Sequence, residues 1–212
     1  MRAVSPAAGF AVGFAVLTAA VMLNGTVPGE RSLLRQVVLE RENPMWHGWQ
    51  ALSDATGTIP MLVVLVVGSA VLLAARRREA ATLLVVGVLV VAGVNPLLKT
   101  AVDRERPGLV AIAGEVSAGS YPSGHAAVSA VLVGAAVLAI GRRLATGSRR
   151  VVIAVAAAVL LLIAASQLAL GRHYPSDVLA GWLVAGFWLT VLNTLQGARA
   201  RSGQRRGGGR GD

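Results

Sequence analysis

The chain has 212 residues, of which 55% are hydrophobic and only 14% are charged, and it contains no cysteine. A soluble domain carries about 25% charged residues, so the composition excludes an ordinary soluble domain, and the high apolar content excludes intrinsic disorder. The absence of cysteine excludes disulfides, thiolate metal sites and cysteine nucleophiles. The formal net charge of +10 leaves nucleic acid and anionic membrane as candidate partners, and the position of the charges must decide between them.

Six apolar stretches predict an all-α fold class, namely a polytopic membrane protein built as a bundle of six transmembrane helices. Each stretch has about 17–20 residues and would cross about one hydrocarbon thickness as a helix. The stretches run over residues 7–23, 59–75, 80–98, 125–141, 151–170 and 178–195. For the first stretch a cleaved signal peptide is the alternative, although no convincing Ala-x-Ala cleavage site precedes Asn24.

The charges are divided unequally between the two sides of this predicted bundle. The side of the termini holds 13 basic and 2 acidic residues, and the opposite side holds 7 basic and 8 acidic residues, which gives +11 and −1. The positive-inside rule assigns the +11 side to the cytoplasm, so we expect a multi-pass plasma-membrane protein with both termini inside. After a membrane domain over residues 1–195, the Gly- and Arg-rich residues 196–212 predict a disordered cytoplasmic tail.

Nucleic acid is not an expected partner of this chain. Its basic residues are spread over thin loops and a tail without interleaved aromatic residues, and the lipid bilayer is the expected partner instead. The sequence makes no prediction about the oligomeric state. In the first loop on the −1 side, residues 24–58, four apolar residues fall on one helical face, which predicts a short helix lying in the membrane interface. These residues are Leu33, Leu34, Val37 and Val38.

The other two loops on the −1 side contain the residues suited to chemistry. Lys99 supplies a compact ammonium charge and Arg106 a planar guanidinium with paired N–H donors, and these two cations are suited to binding phosphate oxygens. Pro122-Ser123-Gly124-His125 begins the fourth span, where unsatisfied backbone N–H groups form an anion site and Gly124 permits close approach. The hydroxyl of Ser123 is a further donor or caps the helix, and the two interpretations are compatible.

His173 and Asp177 are four residues apart at the start of the sixth span. A carboxylate at this distance can accept a hydrogen bond from one imidazole nitrogen and leave the other nitrogen to attack. The alternative for Asp177 is an acid that complements a helix N-terminus. Two histidines, one carboxylate and several cations, without metal-ligand spacing, indicate phosphoryl transfer that uses neither a metal nor another cofactor.

These residues resemble the three-part signature of the type 2 phosphatidic acid phosphatase family of integral membrane lipid phosphatases. The three parts are Lys99 with Arg106-Pro107 after six residues, then Pro122-Ser123-Gly124-His125, then His173 with Asp177 after three residues. The family includes bacterial undecaprenyl pyrophosphate phosphatases and is related to the vanadium haloperoxidases. The resemblance covers essentially the whole chain, because the membrane members of the family have six helices with the site on the outer face.

The resemblance implies a role for each residue. His173 would be the nucleophile that forms a phosphohistidine, Asp177 would orient it, and His125 would protonate the leaving group and then activate water. Lys99, Arg106, Ser123 and the backbone of Gly124 would hold the phosphoryl oxygens, with Arg104 as an auxiliary residue. The implied substrate is a lipid phosphate or pyrophosphate of the polyprenyl or phosphatidic acid type, at the outer leaflet.

One position departs from the family pattern. The third motif of the family usually begins with Ser-Arg, whereas this chain has Ser166 and Gln167. Either Arg172 replaces the missing arginine, or the activity is weakened or altered. The alternative functions are therefore a lipid-phosphate binder or transporter and, among enzymes, phosphoryl transfer to an acceptor other than water.

Overall fold

The computed structural model describes residues 5–110, 119–141 and 144–207, with side chains to residue 198. Within these ranges the chain forms eight α-helices and no strand, as expected for an all-α protein. In chain order the helices are α1 (Pro6–Asn24), α2 (Glu30–Val37), α3 (Trp46–Ala55), α4 (Thr58–Ala74), α5 (Arg78–Val102), α6 (Gly124–Gly141), α7 (Thr146–Ala169) and α8 (Pro175–Gly207).

The six predicted apolar stretches coincide with helices α1 and α4 to α8, and two of them, 59–75 and 151–170, run one residue past the helix end. In the described part of the chain, α1, α5, α6, α7 and α8 are each long and apolar enough to cross a membrane. The shorter α4 follows α3 after a bend of 45°, and this bent pair would make a sixth span. A helical membrane protein is therefore confirmed, with five or six candidate spans.

Helix α6 lies at the centre of the bundle. It packs against α5, α7 and α8, while α1 packs against α8 and α4 packs against α5. The largest core cluster is formed by apolar side chains of α4, α5, α6 and α8, among them Leu65, Val91, Val131 and Val184. Apolar side chains also cover the outside of the bundle, where Val12 of α1, Val66 of α4 and Leu161 of α7 are 60%, 66% and 59% exposed. Such a surface suits a lipid environment.

The first turns of α6 and α8 lie against each other at one end of the bundle. Gly181 of α8 permits this approach, because a Cβ there would lie 2.7 Å from the carbonyl oxygen of Ser123 and 3.0 Å from the nitrogen of Ala127. The backbone N–H of Ser123 donates to the carbonyl of Asp177 at 2.9 Å. Two of the three sequence motifs are thus joined through their backbones.

Two peripheral segments were also predicted from the sequence. A short helix, α2, does occupy the first loop, with Leu34 fully buried and with Leu33 and Val37 exposed. The C-terminal end differs from the prediction, since α8 is helical to Gly207 whereas the sequence predicts a disordered tail from Gln196. Alanine, arginine and glutamine are good helix formers, which allows the helix to continue beyond its apolar part. Residues 208–212 lie outside the described residues.

Candidate active site

The three motifs meet at the end of the bundle where α6 and α8 begin. Arg106, which follows α5, donates a hydrogen bond of 2.8 Å to the backbone carbonyl of Arg172, which precedes α8. Gly171 makes the turn between α7 and α8 with a φ of +62°, a left-handed conformation that favours glycine. The turn places Arg172 and His173 directly beside the loop that carries Arg106.

His173 and Asp177 form a buried pair at the start of α8, as the sequence predicts. Their side chains are 4% and 0% exposed, and Nδ1 of His173 lies 3.4 Å from Oδ2 of Asp177, slightly longer than a well-formed hydrogen bond. The same Oδ2 accepts from the backbone N–H of Tyr174 at 2.8 Å. Burial lowers the pKa of His173, and the neighbouring carboxylate opposes this effect. A neutral imidazole is the form required of a nucleophile.

Lys99 and Arg106 lie on the same side as this pair. Lys99 Nζ donates to the carbonyl of Gly119, and both cations interact electrostatically with His173 and with Asp177. Burial lowers the pKa of Arg106, but a guanidinium remains charged at any pH at which the protein is folded. Its Nε is buried and has no acceptor among the described residues. An anion bound beside Arg106 would satisfy that donor.

The first residues of α6 contribute the second motif. Ser123 is fully buried, and its hydroxyl caps the helix by accepting from the backbone N–H of Ala126 at 3.4 Å. Gly124 leaves room beside Asn95, because a Cβ there would lie 3.3 Å from Asn95 Nδ2. His125 is half-buried and interacts electrostatically with His173. His125 and His173 are therefore close enough to interact electrostatically.

Gln167 and Arg172 converge on Ser53 of α3. Gln167 is 1% exposed, and its Nε2 donates to Ser53 Oγ at 2.9 Å while its Oε1 has no partner among the described residues. Arg172 donates to the same hydroxyl at 2.5 Å and to Gln50 at 3.0 Å. The side chains of Arg172 and Gln167 thus share one acceptor, the hydroxyl of Ser53.

Arg104 lies behind the histidine–aspartate pair and is 6% exposed. It donates to Oδ1 of Asp177 at 2.5 Å, to Ser176 Oγ at 2.7 Å and to the carbonyl of Gly25 at 3.0 Å, and it forms an ion pair with Glu30. Since these bonds use four of the five N–H groups of a guanidinium, Arg104 is committed to protein acceptors. As an auxiliary residue it contacts Asp177, and its role toward substrate stays a prediction.

Sequence reasoning missed two residues of this region, Glu30 and Ser53. Glu30 had a signal, because it stands four residues before Leu34, on the buried face of an amphipathic helix where a charge is unexpected. Ser53 had no such signal, since nothing in the sequence around a helical serine indicates which side chains of other helices it will contact.

A cavity of about 320 Å³ opens beside the second motif. Gly124, His125 and Asn95 line one part of it, and apolar residues of α4, α5 and α6 line the rest, among them Met61, Leu62, Val88 and Val128. The Oδ1 of Asn95 is buried without a partner among the described residues. Across the same described ranges, no three His, Asp or Glu side chains are grouped as a metal site requires.

The comparison with known protein families identifies the chain. The model of the PAP2 superfamily matches residues 80–201, which contain all three motifs. The chain belongs to the PAP2 superfamily. The resemblance to type 2 phosphatidic acid phosphatases that its motifs indicate is therefore confirmed.

Two characterised relatives are phosphatases of lipid phosphates by name. The chain is 35% identical over 122 residues to decaprenylphosphoryl-5-phosphoribose phosphatase of Mycobacterium tuberculosis, a match over 56% of this chain and 63% of that relative. The match thus spans less than two thirds of the mycobacterial protein. The chain is also 25% identical over 178 residues to phosphatidylglycerophosphatase B of Bacillus subtilis, over 80% of this chain and 84% of the relative.

A solved structure has the same fold. The crystal structure of a transmembrane PAP2-type phosphatidylglycerolphosphate phosphatase from Bacillus subtilis matches with a TM-score of 0.77 at 21% identity. The match covers 92% of this chain and 98% of that one. The arrangement of helices around the site is therefore the fold of a transmembrane PAP2 phosphatase.

Proposed function

We propose that the protein hydrolyses a phosphomonoester or pyrophosphate of a membrane lipid through a phosphohistidine on His173, without a metal ion. The observation that carries this proposal is the buried pair of His173 and Asp177 beside Arg106, whose Nε has no acceptor among the described residues. A neutral nucleophile next to an unsatisfied cationic donor is the arrangement that attack on a phosphoryl group requires.

The first step forms the covalent intermediate. Nε2 of His173 attacks phosphorus while the bond from phosphorus to the departing oxygen breaks, and His125 donates its proton to that oxygen. The imidazole of His173 becomes positively charged as the P–N bond forms, and Asp177 stabilises this charge through Nδ1. Lys99, Arg106 and the first N–H groups of α6 hold the equatorial oxygens.

The second step releases phosphate. His125, now neutral, takes a proton from water, and the water oxygen attacks phosphorus as the P–N bond breaks. Inorganic phosphate leaves, and both histidines return to their starting forms. The same intermediate would allow an alcohol to replace water, so transfer to another acceptor is a second outcome of this chemistry.

The membrane placement is part of the proposal. Six spans, counting the bent α3–α4 pair as one, would put both termini in the cytoplasm and the site at the outer leaflet, with α2 in the interface. The exposed Leu33 and Val37 support that position of α2. Because the chain contains no cysteine, single cysteines at Arg31 and Arg149 can be labelled with an impermeant maleimide in intact spheroplasts. Only the cysteine at position 31 should react, and reaction at position 149 alone would reverse the orientation.

The chemical class of substrate follows from the site and from the relatives. The apolar cavity that reaches His125 suits a lipid chain, and the relatives act, by name, on phosphates carried by decaprenyl and glycerolipid groups. Purified protein should release phosphate from at least one of polyprenyl pyrophosphate, phosphatidic acid, phosphatidylglycerophosphate and a phosphorylated polyprenyl sugar. His173→Ala should abolish release, and EDTA should leave it unchanged. Loss of activity in EDTA would contradict the metal-free mechanism.

A non-catalytic binder or transporter is the second candidate, because Gln167 stands where the family has arginine. A binder would retain a lipid phosphate without releasing phosphate from any member of the panel. Tight binding together with no phosphoenzyme would favour this candidate over the phosphatase.

A further inference from the structure

Helix α2 carries a buried acid that the reaction described above does not use. Glu30 is 4% exposed and is surrounded by donors from three other segments. Its Oε1 accepts from the backbone N–H of Val27 at 2.7 Å and from Arg104, and its Oε2 accepts from Ser176 Oγ at 2.5 Å. Removing a carboxylate from water is costly unless it is paired, and among the described residues Glu30 is paired with one cation, Arg104.

Arg104 connects Glu30 to the histidine–aspartate pair. Its Nη2 donates to Glu30 and its Nη1 to Oδ1 of Asp177, so one guanidinium joins two buried carboxylates. The guanidinium also lies over the ring of Tyr174, 4.0 Å from its centroid. With Oδ1 held by Arg104, the other oxygen of Asp177 is left to face Nδ1 of His173. A continuous chain of contacts thus runs from Glu30 to the nucleophile.

The charges along this series of contacts show what Glu30 contributes. Glu30, Arg104 and Asp177 together carry one net negative charge, so Asp177 retains charge to stabilise a cationic imidazole. Without Glu30, Asp177 would be the one carboxylate partner left to Arg104 in the described ranges, and Arg104 would neutralise it. Among the residues that the structure describes, the other groups whose charges act on His173 are Lys99, Arg106 and His125, and none of these three supplies a negative charge.

We propose that Glu30 is a positioning residue of the reaction. Because Glu30 and Asp177 share the guanidinium of Arg104, Asp177 keeps its negative charge and its orientation toward His173. This inference rests on the proposed phosphatase function. In the described part of the chain, Glu30 has no hydrogen bond or ion pair with Lys99, Arg106 or Ser123, so it acts on the covalent step and not on substrate binding. The competing explanation is that Glu30 only fastens α2 to α8 through Ser176.

Kinetics of three variants separate the two explanations. Glu30→Gln keeps the shape and loses the charge, Glu30→Asp keeps the charge, and Glu40→Gln removes an exposed acid from the same loop as a control. We expect Glu30→Gln to lower kcat by about 10-fold to 100-fold, as for partners that orient metal-binding histidines, with KM changed less than about threefold. Glu30→Asp should recover part of kcat, and Glu40→Gln should match the unmodified protein.

A second readout does not depend on activity. The chain has three histidines, so protein labelled with ¹⁵N in histidine gives few imidazole signals, and His47→Gln and His125→Gln assign them. Loss of the Glu30 charge should move the titration of His173 to lower pH, because its cation loses stabilisation, whereas Glu40→Gln should not move it.

Each result decides between the explanations. A Glu30→Gln protein that folds and keeps both kcat and the His173 titration would overturn the proposal. The proposal would also be overturned if Glu30→Gln lost activity only because a smaller fraction of the protein folds, while each folded molecule kept its normal turnover. If the unmodified protein hydrolyses no lipid phosphate, the proposed function fails, while the titration still tests whether Glu30 acts on His173.

Discussion

The guanidinium of Arg106 donates a hydrogen bond of 2.8 Å to the backbone carbonyl of Arg172, the residue directly before the proposed nucleophile. One side chain therefore fixes the turn that carries His173, and it also presents on the same side a buried Nε that has no acceptor among the described residues. In the proposed mechanism, this arrangement would couple the position of the nucleophile to the binding of the phosphoryl group that it attacks.

Arg106→Lys should separate charge from geometry. Lysine keeps the positive charge but has no planar fork, so it cannot hold the Arg172 carbonyl and a phosphoryl oxygen together. We expect kcat/KM to fall by about 10²–10³, the loss typical of one preorganised donor. Arg31→Lys, on the exposed face of α2, is the matched control for the same substitution. Equal activity in both variants would mean that Arg106 serves only as a charge.

The pH dependence should reflect the burial of His173. Burial lowers the pKa of His173 below the ordinary value of 6.5, so the imidazole stays neutral as the pH falls through 6.5. We expect the acidic limb of kcat/KM to lie below pH 6.5, since the free enzyme must hold a neutral nucleophile. A phosphomonoester itself titrates at a pH of about 6, so two substrates with different ionisation should be compared. A limb above pH 6.5 that does not move with substrate would contradict this prediction.

Gly181→Ala tests the contact between the second and third motifs. The added Cβ would lie 2.7 Å from the Ser123 carbonyl oxygen, so α8 must move away from the start of α6. A misplacement near 1 Å can cost about 100-fold in rate, and we expect a loss of about 10-fold to 100-fold in kcat. Gly93→Ala on α5 meets no atom within 4 Å and is the control. Similar kcat values for the two variants would show that this close approach does not position the site.

Variants at Arg172 and Gln167 test whether Arg172 replaces the arginine that the family has at position 167. Arg172 and Gln167 share Ser53 Oγ, so we expect Arg172→Ala to lower turnover by about 10²–10³ if its guanidinium replaces the family arginine. Adding Gln167→Arg to Arg172→Ala should restore part of that turnover. Undiminished turnover in Arg172→Ala would reject compensation, and Arg31→Ala controls for the loss of a cation from the same side.

The sequence predicts the long elements of this protein well, because the length and apolarity of each span are local properties. The six apolar stretches differ from the helices by a few residues at most ends, and α8 departs most because its polar extension remains helical. The motif residues His173, Asp177, Arg106 and Ser123 are also brought to one end of the bundle, as their order along the chain predicts.

The partners of those residues depend on tertiary packing, which sequence spacing does not encode. Glu30 reaches Arg104 only because α2 folds back onto α8, and Ser53 reaches both Gln167 and Arg172 because α3 packs on α7. Arg104 lies only two residues before Arg106, yet its side chain pairs with Glu30 and Asp177, whereas Nε of Arg106 has no acceptor in the described ranges. Only the packed structure separates these two arginines.

Trapping the phosphoenzyme tests the central proposal most directly. Protein incubated with a lipid phosphate labelled with ³²P, and quenched in alkaline denaturant that preserves phosphohistidine, should carry label on one peptide. We predict that mass spectrometry places the phosphate on His173, that His173→Ala abolishes the label, and that His125→Ala slows its release. Phosphate release without any label on His173, or equal labelling of His173→Ala, would contradict the account.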